Sequence, residues 1–378
     1  MTDFLVDVPA AASAPAPDLF TPVHVGRMEL PNRVVMAPLT RRRATDDGVP
    51  TESMARHYAD RAGTGLIVAE GTYPSRRGQT YLNQPGIADA AQAAGWRRVT
   101  DAVHERGGRI VLQVMHGGRV VHLPDGAARD IVAPSAIPVP GTLRLPDGER
   151  PFYVPRALRT DEMPAVVEEF VAAARRAIDA GFDGVEVHGA NGYLLNQFLS
   201  PTTNQRTDAY GGSPANRARL VVEVTRAVAD AVGADRTGLR ISPAGVRNSL
   251  DERHVPDVRD TYGALVAGLT GIGLAYLSVL SPDPAGELVQ GLRRQFDGAL
   301  LLNDGFDLVT TRTAAAGFLA DGLADAVVVG RPVLANPDLV RRWREDLPLN
   351  EPDPATFYGG DDRGYNDYPL ADAAAGVG

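Results

Sequence analysis

Polar side chains follow most of the short apolar runs in this chain, and their types suit ligand binding and proton transfer. They include the amide of Gln113, the imidazole of His188, the phenol of Tyr193 and the guanidinium of Arg240. Each of them could simply end a strand. In a β/α barrel, however, the carboxyl ends of the strands converge on one mouth, where active sites form. Together these groups predict one rim that binds a polar, planar ring system and a phosphate. The other members of this rim are Thr40, Glu70, Gly71, His116, Asn191, Asn303, Asp304, Gly305, Gly330 and Arg331.

Two loops near the C-terminal end of the chain predict where the phosphate binds. Barrels often hold a phosphate in the loops after strands seven and eight, on backbone N–H groups. Here those loops contain Asn303, Asp304 and Gly305, and then Gly330 and Arg331. Glycine allows the backbone to approach closely, and an arginine can donate two parallel hydrogen bonds to one phosphate. The carboxylate of Asp304 conflicts with this prediction unless it points away.

The elements that must position this rim are short. Eight nearly continuous apolar runs predict parallel strands buried on both faces. They are Val34–Pro38, Leu66–Ala69, Ile110–Val114, Gly184–Val187, Gly238–Ile241, Tyr276–Val279, Leu300–Leu302 and Ala326–Val329. Helical spacing of apolar residues predicts helices at Glu52–Arg61, Ala91–Arg106, Asp161–Asp179, Pro214–Val232 and Asp307–Ala320. This alternation predicts an α/β fold, a closed (β/α)8 TIM barrel rather than an open doubly wound sheet.

The chain is predicted to form one barrel domain over residues 18–370, with tails at 1–17 and 371–378. Val23–Val25 and Met28–Leu30, joined at Gly26, predict a β-hairpin ahead of the barrel. Leu123–Arg159 is rich in Pro and Gly and forms a long excursion after strand three, which is typical of a lid or a binding loop. The run of arginines at 41–43 is expected to be a solvated surface, and His57, His104 and His254 are expected to be solvated.

Two absences in the composition exclude whole classes of chemistry. The chain has no Cys, which excludes disulfides, thiolate nucleophiles and iron–sulfur clusters. All 38 basic residues are Arg, so no lysine Schiff base can form. No histidines show metal-ligand spacing, and no metal is expected. The net charge of −9 argues against a nucleic-acid partner, and no apolar run is long enough to cross a bilayer, so the default expectation is a cytoplasmic protein without a membrane partner.

Several long segments carry a family resemblance that runs from Leu19 to Pro369. They are NRVVMAPLTR at 32–41, HGANGYLLNQFLSP at 188–201, NQRTDAYGGS at 204–213, GRP at 330–332, ANPD at 335–338, FYGG at 357–360 and GYNDYP at 364–369. In these segments the chain resembles the old yellow enzymes, and Thr40 places it with the branch that has Thr rather than Cys at this position. The segment from His188 to Ser213 is long and highly specific to that family.

The resemblance implies a non-covalently bound flavin mononucleotide (FMN), with NAD(P)H as the electron donor. It assigns the cofactor to Pro38, Thr40, Gly71, Gln113, Arg240, Asn303, Gly305, Gly330, Arg331, Phe357 and Tyr358. Thr40 would bind the flavin C4 carbonyl, while Gly71 and Gln113 would contact the pyrimidine edge. Arg240 would lie beside N1. Gly330 and Arg331 would hold the phosphate, and Phe357 and Tyr358 would pack at the dimethylbenzene end.

The resemblance also implies the reaction, the reduction of an alkene that is conjugated to a carbonyl or a nitro group. Hydride would pass from flavin N5 to the β carbon, and charge would develop on the substrate oxygen. His188 and Asn191 would bind that oxygen, and Tyr193 would protonate the α carbon. Tyr81 and Met115 would line the substrate pocket. The residue types are consistent with these roles, because two donors can stabilise an enolate and a tyrosine with a pKa of about 10 can protonate a carbanion-like carbon.

Two departures from the family pattern and several alternative functions remain open. Met115 stands where the family usually has Trp, and Leu280–Ala299, between strands six and seven, is short. The nearest alternative is another flavin reaction, either dehydrogenation or isomerisation of a double bond in a biosynthetic pathway. A cofactor-free binding or scaffold barrel is a second, which a yellow purified protein would exclude. A metal-dependent barrel hydrolase is disfavoured because no His-x-His pair closes strand one. The oligomeric state is expected to be a monomer or a homodimer.

Overall fold

A computed structural model describes residues 17–124, 130–145 and 148–371. The strands are β1 (Val23–Val25), β2 (Met28–Leu30), β3 (Val34–Met36), β4 (Leu66–Thr72), β5 (Ile110–Val114), β6 (Val132–Ala133), β7 (Thr142–Leu145), β8 (Gly148–Pro151), β9 (Arg156–Ala157), β10 (Gly184–Gly189), β11 (Thr237–Ile241), β12 (Val246–Arg247), β13 (Leu250–Asp251), β14 (Tyr276–Leu280), β15 (Ala299–Asn303) and β16 (Ala326–Val329). The helices are α1 (Glu52–Asp60), α2 (Ala90–Glu105), α3 (Met163–Asp179), α4 (Leu194–Leu199), α5 (Pro214–Val232), α6 (Val258–Ala267), α7 (Glu287–Gln295), α8 (Arg312–Ala320), α9 (Arg331–Ala335) and α10 (Leu339–Glu345). Apart from residues 17 and 371, the predicted tails lie outside the described residues.

Eight strands close into one parallel barrel, in the order β3, β4, β5, β10, β11, β14, β15, β16 and back to β3. These are the eight strands predicted from the apolar runs, and the TIM-barrel prediction is confirmed. The register sets the positions of the polar rim. Glu186 lies beside Gln113, and His188 lies beside Arg240 on the next strand. Parallel register therefore brings side chains from distant parts of the chain to one end of the barrel.

The predicted hairpin is also confirmed, since β1 and β2 pair in antiparallel fashion. Its buried residues Val25, Met28 and Leu30 pack with barrel residues that include Val35 and Leu301. A second and larger cluster fills the layer between the strands and the surrounding helices. The hairpin contributes to the apolar core rather than to the polar rim.

Local capping explains where the helices begin, and it corrects one prediction. Ser213 accepts a hydrogen bond from the N–H of Asn216, and α5 has the predicted bounds. The predicted helix at Asp307–Ala320 is wrong over its first five residues, because α8 begins only at Arg312. Thr311 caps that helix by accepting from the N–H of Ala314, so the preceding residues remain in a loop. Five further helices in the described residues, α4, α6, α7, α9 and α10, were not predicted.

The long excursion after β5 carries short strands of its own. Strands β6 and β9 pair in parallel, and β7 and β8 form a hairpin. Phe152, beyond the hairpin, packs against a buried cluster that contains Met115 and Tyr193. The excursion therefore covers the outer side of the region in which the catalytic tyrosine was predicted.

The expectation that the arginine run and His57 are solvated is wrong. Arg41 and Arg43 are buried. Their guanidinium groups donate to backbone carbonyls of the C-terminal segment, defined here as residues 354–369, including Nε of Arg41 to the Phe357 carbonyl at 2.9 Å. His57 is also buried and stacks on the ring of Tyr365, with centroids 3.8 Å apart. Arg41 and Arg43 therefore hold the C-terminal segment against the barrel through hydrogen bonds.

Candidate active site

A cavity of about 550 Å³ opens at the carboxyl ends of the barrel strands. All but one of the residues that the family resemblance assigns to the site line it, and the exception is Gly71. Three further members of the rim predicted from the strand ends, Glu70, His116 and Asp304, do not line it. The lining residues that sequence reasoning did not assign to the site are Ala37, Leu39, Arg41, Arg42, Arg247, Asn248, Leu280, Phe306, Leu308, Val309, Thr310 and Leu334. Most of these belong to loops after β3, β11 and β15, whose paths depend on tertiary contacts rather than on local pattern.

His188 and Asn191 are brought together by a tight turn at the end of β10. Asn191 and Gly192 both have positive φ angles, of 60° and 77°. The turn is held by a hydrogen bond of 2.9 Å from the Asn191 N–H to Ser242 Oγ, and by one of 2.8 Å from Asn248 Nδ2 to the Asn191 carbonyl. Burial, with a smaller contribution from the charge of Arg240, lowers the pKa of His188 to about 3. The imidazole is therefore neutral at physiological pH.

Tyr193 and Tyr81 form a pair on the same wall of the cavity. Their hydroxyl oxygens are 3.1 Å apart. The ring of Tyr193 also lies beside that of His188, with centroids 5.3 Å apart. Burial raises the pKa of Tyr193 and raises that of Tyr81 well above its ordinary value. Both phenols therefore keep their protons at physiological pH. One of them can donate a proton while the other is hydrogen-bonded to it.

A buried carboxylate that sequence reasoning missed lies beneath the floor of the cavity, in contact with the lining residue Gln113. Gln113 Nε2 donates to Glu186 Oε1 at 2.7 Å. On the neighbouring strand, Arg240 donates from Nη1 to Ser278 Oγ at 3.0 Å. Burial raises the pKa of Glu186, while the charge of Arg240 acts in the opposite direction. A Glu inside an apolar strand was a usable sequence signal, because buried carboxylates need a partner.

The predicted phosphate loops meet at one end of the cavity. Arg331 Nη2 donates to the carbonyls of Phe306 and Leu308, at 2.6 and 2.7 Å. Asp304 accepts a short hydrogen bond from the hydroxyl of Thr310, so its carboxylate is engaged within its own loop. Asp304 is buried and is not among the residues that line the cavity, so its carboxylate does not face the predicted phosphate position. Gly305 has a φ of 101°, a conformation that favours glycine.

Gly71 lies behind the cavity wall instead of lining it. A side chain there would come within 2.6 Å of the sulfur of Met115. Its carbonyl accepts a hydrogen bond of 2.8 Å from Gln84 Nε2. In this structure Gly71 provides space for Met115, and it lies close to the Gln113 amide without facing the cavity. Met115 itself lines the cavity, as predicted.

The groups that line this cavity fit a planar cofactor that bears a phosphate. The volume lies within the range of about 300–1,000 Å³ that is usual for small-molecule sites. Within the described part of the chain, four buried atoms that belong to lining residues have no hydrogen-bond partner: Arg41 Nη1, His188 Nδ1, Asn191 Oδ1 and Arg240 Nε. Buried polar groups are normally paired, so these four indicate a ligand with polar edges. Fold and site together define a β/α-barrel enzyme that binds a cofactor of this kind.

Residues 18–350 match the NADH:flavin oxidoreductase / NADH oxidase family. The chain belongs to this family and is an old yellow enzyme, which uses FMN with a nicotinamide donor. It is 44% identical over 371 residues to a Leishmania infantum protein named "Probable flavin mononucleotide-dependent alkene reductase", covering 96% of this chain and 100% of that protein. A structure of morphinone reductase in complex with tetrahydroNAD is 45% identical, with a TM-score of 0.87 and coverage of 94% and 98%. The old yellow enzyme homologue from Zymomonas mobilis is 40% identical, with a TM-score of 0.88 and coverage of 94% and 100%.

No helix among the described residues is long and apolar enough to cross a membrane. No group of three or more His, Cys, Asp or Glu side chains in that part of the chain is placed to hold a metal ion.

Proposed function

We propose that this FMN-dependent enzyme reduces the carbon–carbon double bond of α,β-unsaturated carbonyl or nitro compounds. FMN, held by the lining residues described below, would supply the hydride transfer from NAD(P)H to the β carbon of the substrate. The observation that carries the proposal is the wall on which a neutral His188, Asn191 and a protonated Tyr193 meet. This wall carries both hydrogen-bond donors for a developing oxyanion and a proton donor. Reduction of a double bond needs both.

His188 and Asn191 bind the activating oxygen of the substrate. Hydride addition at the β carbon moves negative charge onto this oxygen, and two fixed donors in a cavity shielded from water stabilise that charge. The neutral state of His188 matters, because a neutral imidazole donates a hydrogen bond without transferring its proton. Asn191 lies in the positive-φ turn that follows His188, and both residues line the cavity, so we propose that they bind one oxygen.

Tyr193 supplies the proton to the α carbon. Its raised pKa keeps the phenol protonated until a strongly basic carbon forms beside it. Tyr81 lies within hydrogen-bonding distance and takes part in the redistribution of charge when Tyr193 gives up its proton. The buried cluster of Met115 and Phe152 behind Tyr193 restricts access of water to that side of the cavity.

The remaining lining residues hold the cofactor. Gln113, fixed by Glu186, presents its amide to the polar edge of the ring, and Arg240 places a positive charge beside it. Arg331 and the glycines at 305 and 330 receive the phosphate. The other proposed cofactor contacts are Pro38, Thr40, Asn303, Phe357 and Tyr358. The residue types support these assignments, because amide and guanidinium donors face the cavity where a charged ring and a phosphate would need them.

The remaining properties of the protein are proposed from the sequence. We propose a cytoplasmic monomer or homodimer whose partners are an activated alkene and NAD(P)H. The net charge of −9 supports the absence of a nucleic-acid partner, because phosphate backbones bind positive surfaces.

Two measurements on the purified protein test the proposed reaction. The cofactor released by heat should have the mass of the mononucleotide, and NAD(P)H oxidation without oxygen should depend on an added cyclic enone. The product should be the saturated ketone. Anaerobic NAD(P)H oxidation that no enone or nitroalkene accelerates would contradict the proposal, as would release of a dinucleotide.

A further inference from the structure

The cavity is positively charged although the protein as a whole is acidic. Five arginines line it, and among its described lining residues there is no Asp or Glu. The net charge of the chain is −9. The five are Arg41, Arg42, Arg240, Arg247 and Arg331. A concave site lined by one sign of charge raises the local concentration of ligands of the opposite sign.

Three of these arginines already have a role. Arg41 is buried and donates to the carbonyls of Phe357 and Gly364, so its charge is used to hold the C-terminal segment. Arg240 lies deep in the floor beside Gln113 and Glu186. Arg331 lies at the phosphate end, bonded to the loop after β15. Arg42 and Arg247 are left without a role in the fold or the cofactor site.

These two arginines flank the tyrosine pair at the substrate end of the cavity. The guanidinium of Arg42 lies 5.7 Å from the ring centre of Tyr81, and that of Arg247 lies 3.8 Å from the ring centre of Phe306. The charge of Arg42 partly offsets the rise in the pKa of Tyr81, and that of Arg247 does the same for Tyr193. Both charges therefore act on the tyrosine pair, and Arg247 also contacts the loop that Arg331 holds at the phosphate end.

Neither arginine is neutralised by a close carboxylate in the described structure. Arg42 donates from Nε to the Leu82 carbonyl at 3.1 Å, which leaves its charge uncompensated. Arg247 is 3.9 Å from Asp307, whose side chain is fully exposed. An exposed pair at that distance contributes little. Two guanidinium groups are thus available to bind an anion at the substrate end.

We infer that Arg42 and Arg247 form an anion-binding pair that selects activated alkenes carrying a carboxylate away from the reacting double bond. The inference rests on the proposed function and specifies its substrate class. A planar carboxylate matches the two parallel donors of a guanidinium, so the pair binds it better than a neutral ester of the same shape. The substrate would then lie between two polar ends, with its carbonyl oxygen on His188 and Asn191 and its carboxylate on the arginines.

Two phenols that differ only in charge test the pair by binding alone. The FMN-loaded enzyme is titrated with 3-(4-hydroxyphenyl)propionate and with its methyl ester, and the flavin charge-transfer absorbance is followed. A phenolate oxygen resembles the developing enolate, so both ligands should bind. We expect the acid to bind about tenfold more tightly at low ionic strength, with the difference shrinking as salt rises.

Substitution then locates the source of the preference. In the double variant with Arg42→Gln and Arg247→Gln, the acid and the ester should bind equally, while affinity for the ester stays within about twofold of the parent. Arg253→Gln is the matched control, because it removes the same charge from an exposed residue outside the cavity. It should leave the preference for the acid intact.

The inference would be overturned by equal binding of acid and ester by the parent enzyme, by a preference that survives in the double variant, or by an equal loss of preference in the Arg253→Gln control. The first two leave the proposed function standing as long as both phenols still perturb the flavin spectrum. If neither phenol perturbs it in the parent enzyme, the oxyanion site is wrong and the proposed function fails together with the inference. A double variant that loses only discrimination between NADPH and NADH shows a coenzyme site instead, which also overturns it.

Discussion

Arg240 carries a buried positive charge at the floor of the cavity, and its hydrogen-bond partners satisfy only part of the guanidinium. Arg240 is buried, donates from Nη1 to Ser278, and has an Nε with no partner among the described residues. Its neighbour Glu186 is bonded to Gln113, so the arginine is only partly compensated. A guanidinium in this position favours any negative charge that reduction places on the cofactor ring. Reduction potential is therefore the property through which this residue acts.

Replacing Arg240 by Met should lower the reduction potential of the bound cofactor. A hydrogen bond to a charged group contributes about 1.5–3 kcal/mol, and for a two-electron couple about 30 mV corresponds to 1.4 kcal/mol. We therefore expect a fall of about 30–60 mV. Spectroelectrochemical titration of the loaded variant measures it, and flavin occupancy is checked in the same sample. An unchanged potential at full occupancy would refute the role.

At the scale of elements, the C-terminal segment is held to the barrel by buried arginines. Sequence reasoning predicted the run at 41–43 to be a solvated surface, and it had no means of doing better. The acceptors lie at residues 356–364, more than 300 positions away, and they are backbone carbonyls that leave no mark in the sequence. This segment carries Phe357 and Tyr358 to the cavity. Its attachment therefore bears on both stability and cofactor binding.

Arg41→Met should weaken that attachment, because it leaves buried carbonyls without a donor. Each abandoned acceptor costs about 1–3 kcal/mol, so we expect a clear loss in the free energy of unfolding together with weaker FMN binding. Arg56→Gln is the matched control, since Arg56 pairs with Asp362 in the same segment but both side chains are about half exposed. Exposed pairs contribute about 0–1 kcal/mol. Thermal unfolding and FMN titration of both variants compare the two. Equal effects would show that burial of the arginine is unimportant.

The elements that were predictable are those encoded by local pattern. The apolar runs gave all eight barrel strands and the hairpin, because strands buried on both faces need continuous apolar sequence. The long motif after β10 indicated His188, Asn191 and Tyr193. The helix was wrongly extended over residues 307–311 although Val309, Thr310 and Thr311 are β-branched and disfavour a helix, and the cap at Thr311 shows where the helix begins. Arg247 was missed because it lies on a two-residue strand, which is too short to show a periodic pattern, even though its pairing with Leu250–Asp251 is local.

At the scale of the whole molecule, buried histidines couple stability to pH. His57 lies on α1 and is fully buried against the C-terminal segment, and its Nδ1 lies 3.0 Å from the Tyr365 carbonyl. Its Nε2 has no partner among the described residues. Burial, followed by the charges of Arg61 and Arg41, lowers the pKa of His57 well below its ordinary value. The folded state therefore keeps this imidazole neutral after the unfolded chain has taken up its proton.

The sign of the effect follows from the direction of the shift. Because the folded pKa is below the unfolded value of about 6.5, stability falls as the pH drops through that value. His57→Gln removes this loss of stability. The free energy of unfolding of the variant, relative to that of the parent protein, should therefore rise by about 1 kcal/mol as the pH falls from 6 to 5. Urea unfolding at pH 8, 6 and 5 measures the difference. A difference that stays constant from pH 8 to pH 5 would contradict the neutral state of His57.

We propose that Tyr193 gives a proton to the substrate and takes no part in reduction of the cofactor by NAD(P)H. Rapid-mixing kinetics of Tyr193→Phe, with each half of the cycle measured separately, tests it most directly. Tyr358→Phe is the control, because Tyr358 also lines the cavity but lies exposed at its mouth. We predict a near-normal reduction by NAD(P)H and a reaction with a cyclic enone that is slower by about 10²- to 10⁴-fold. Equal slowing of both halves, or an unchanged enone reaction, would contradict the account.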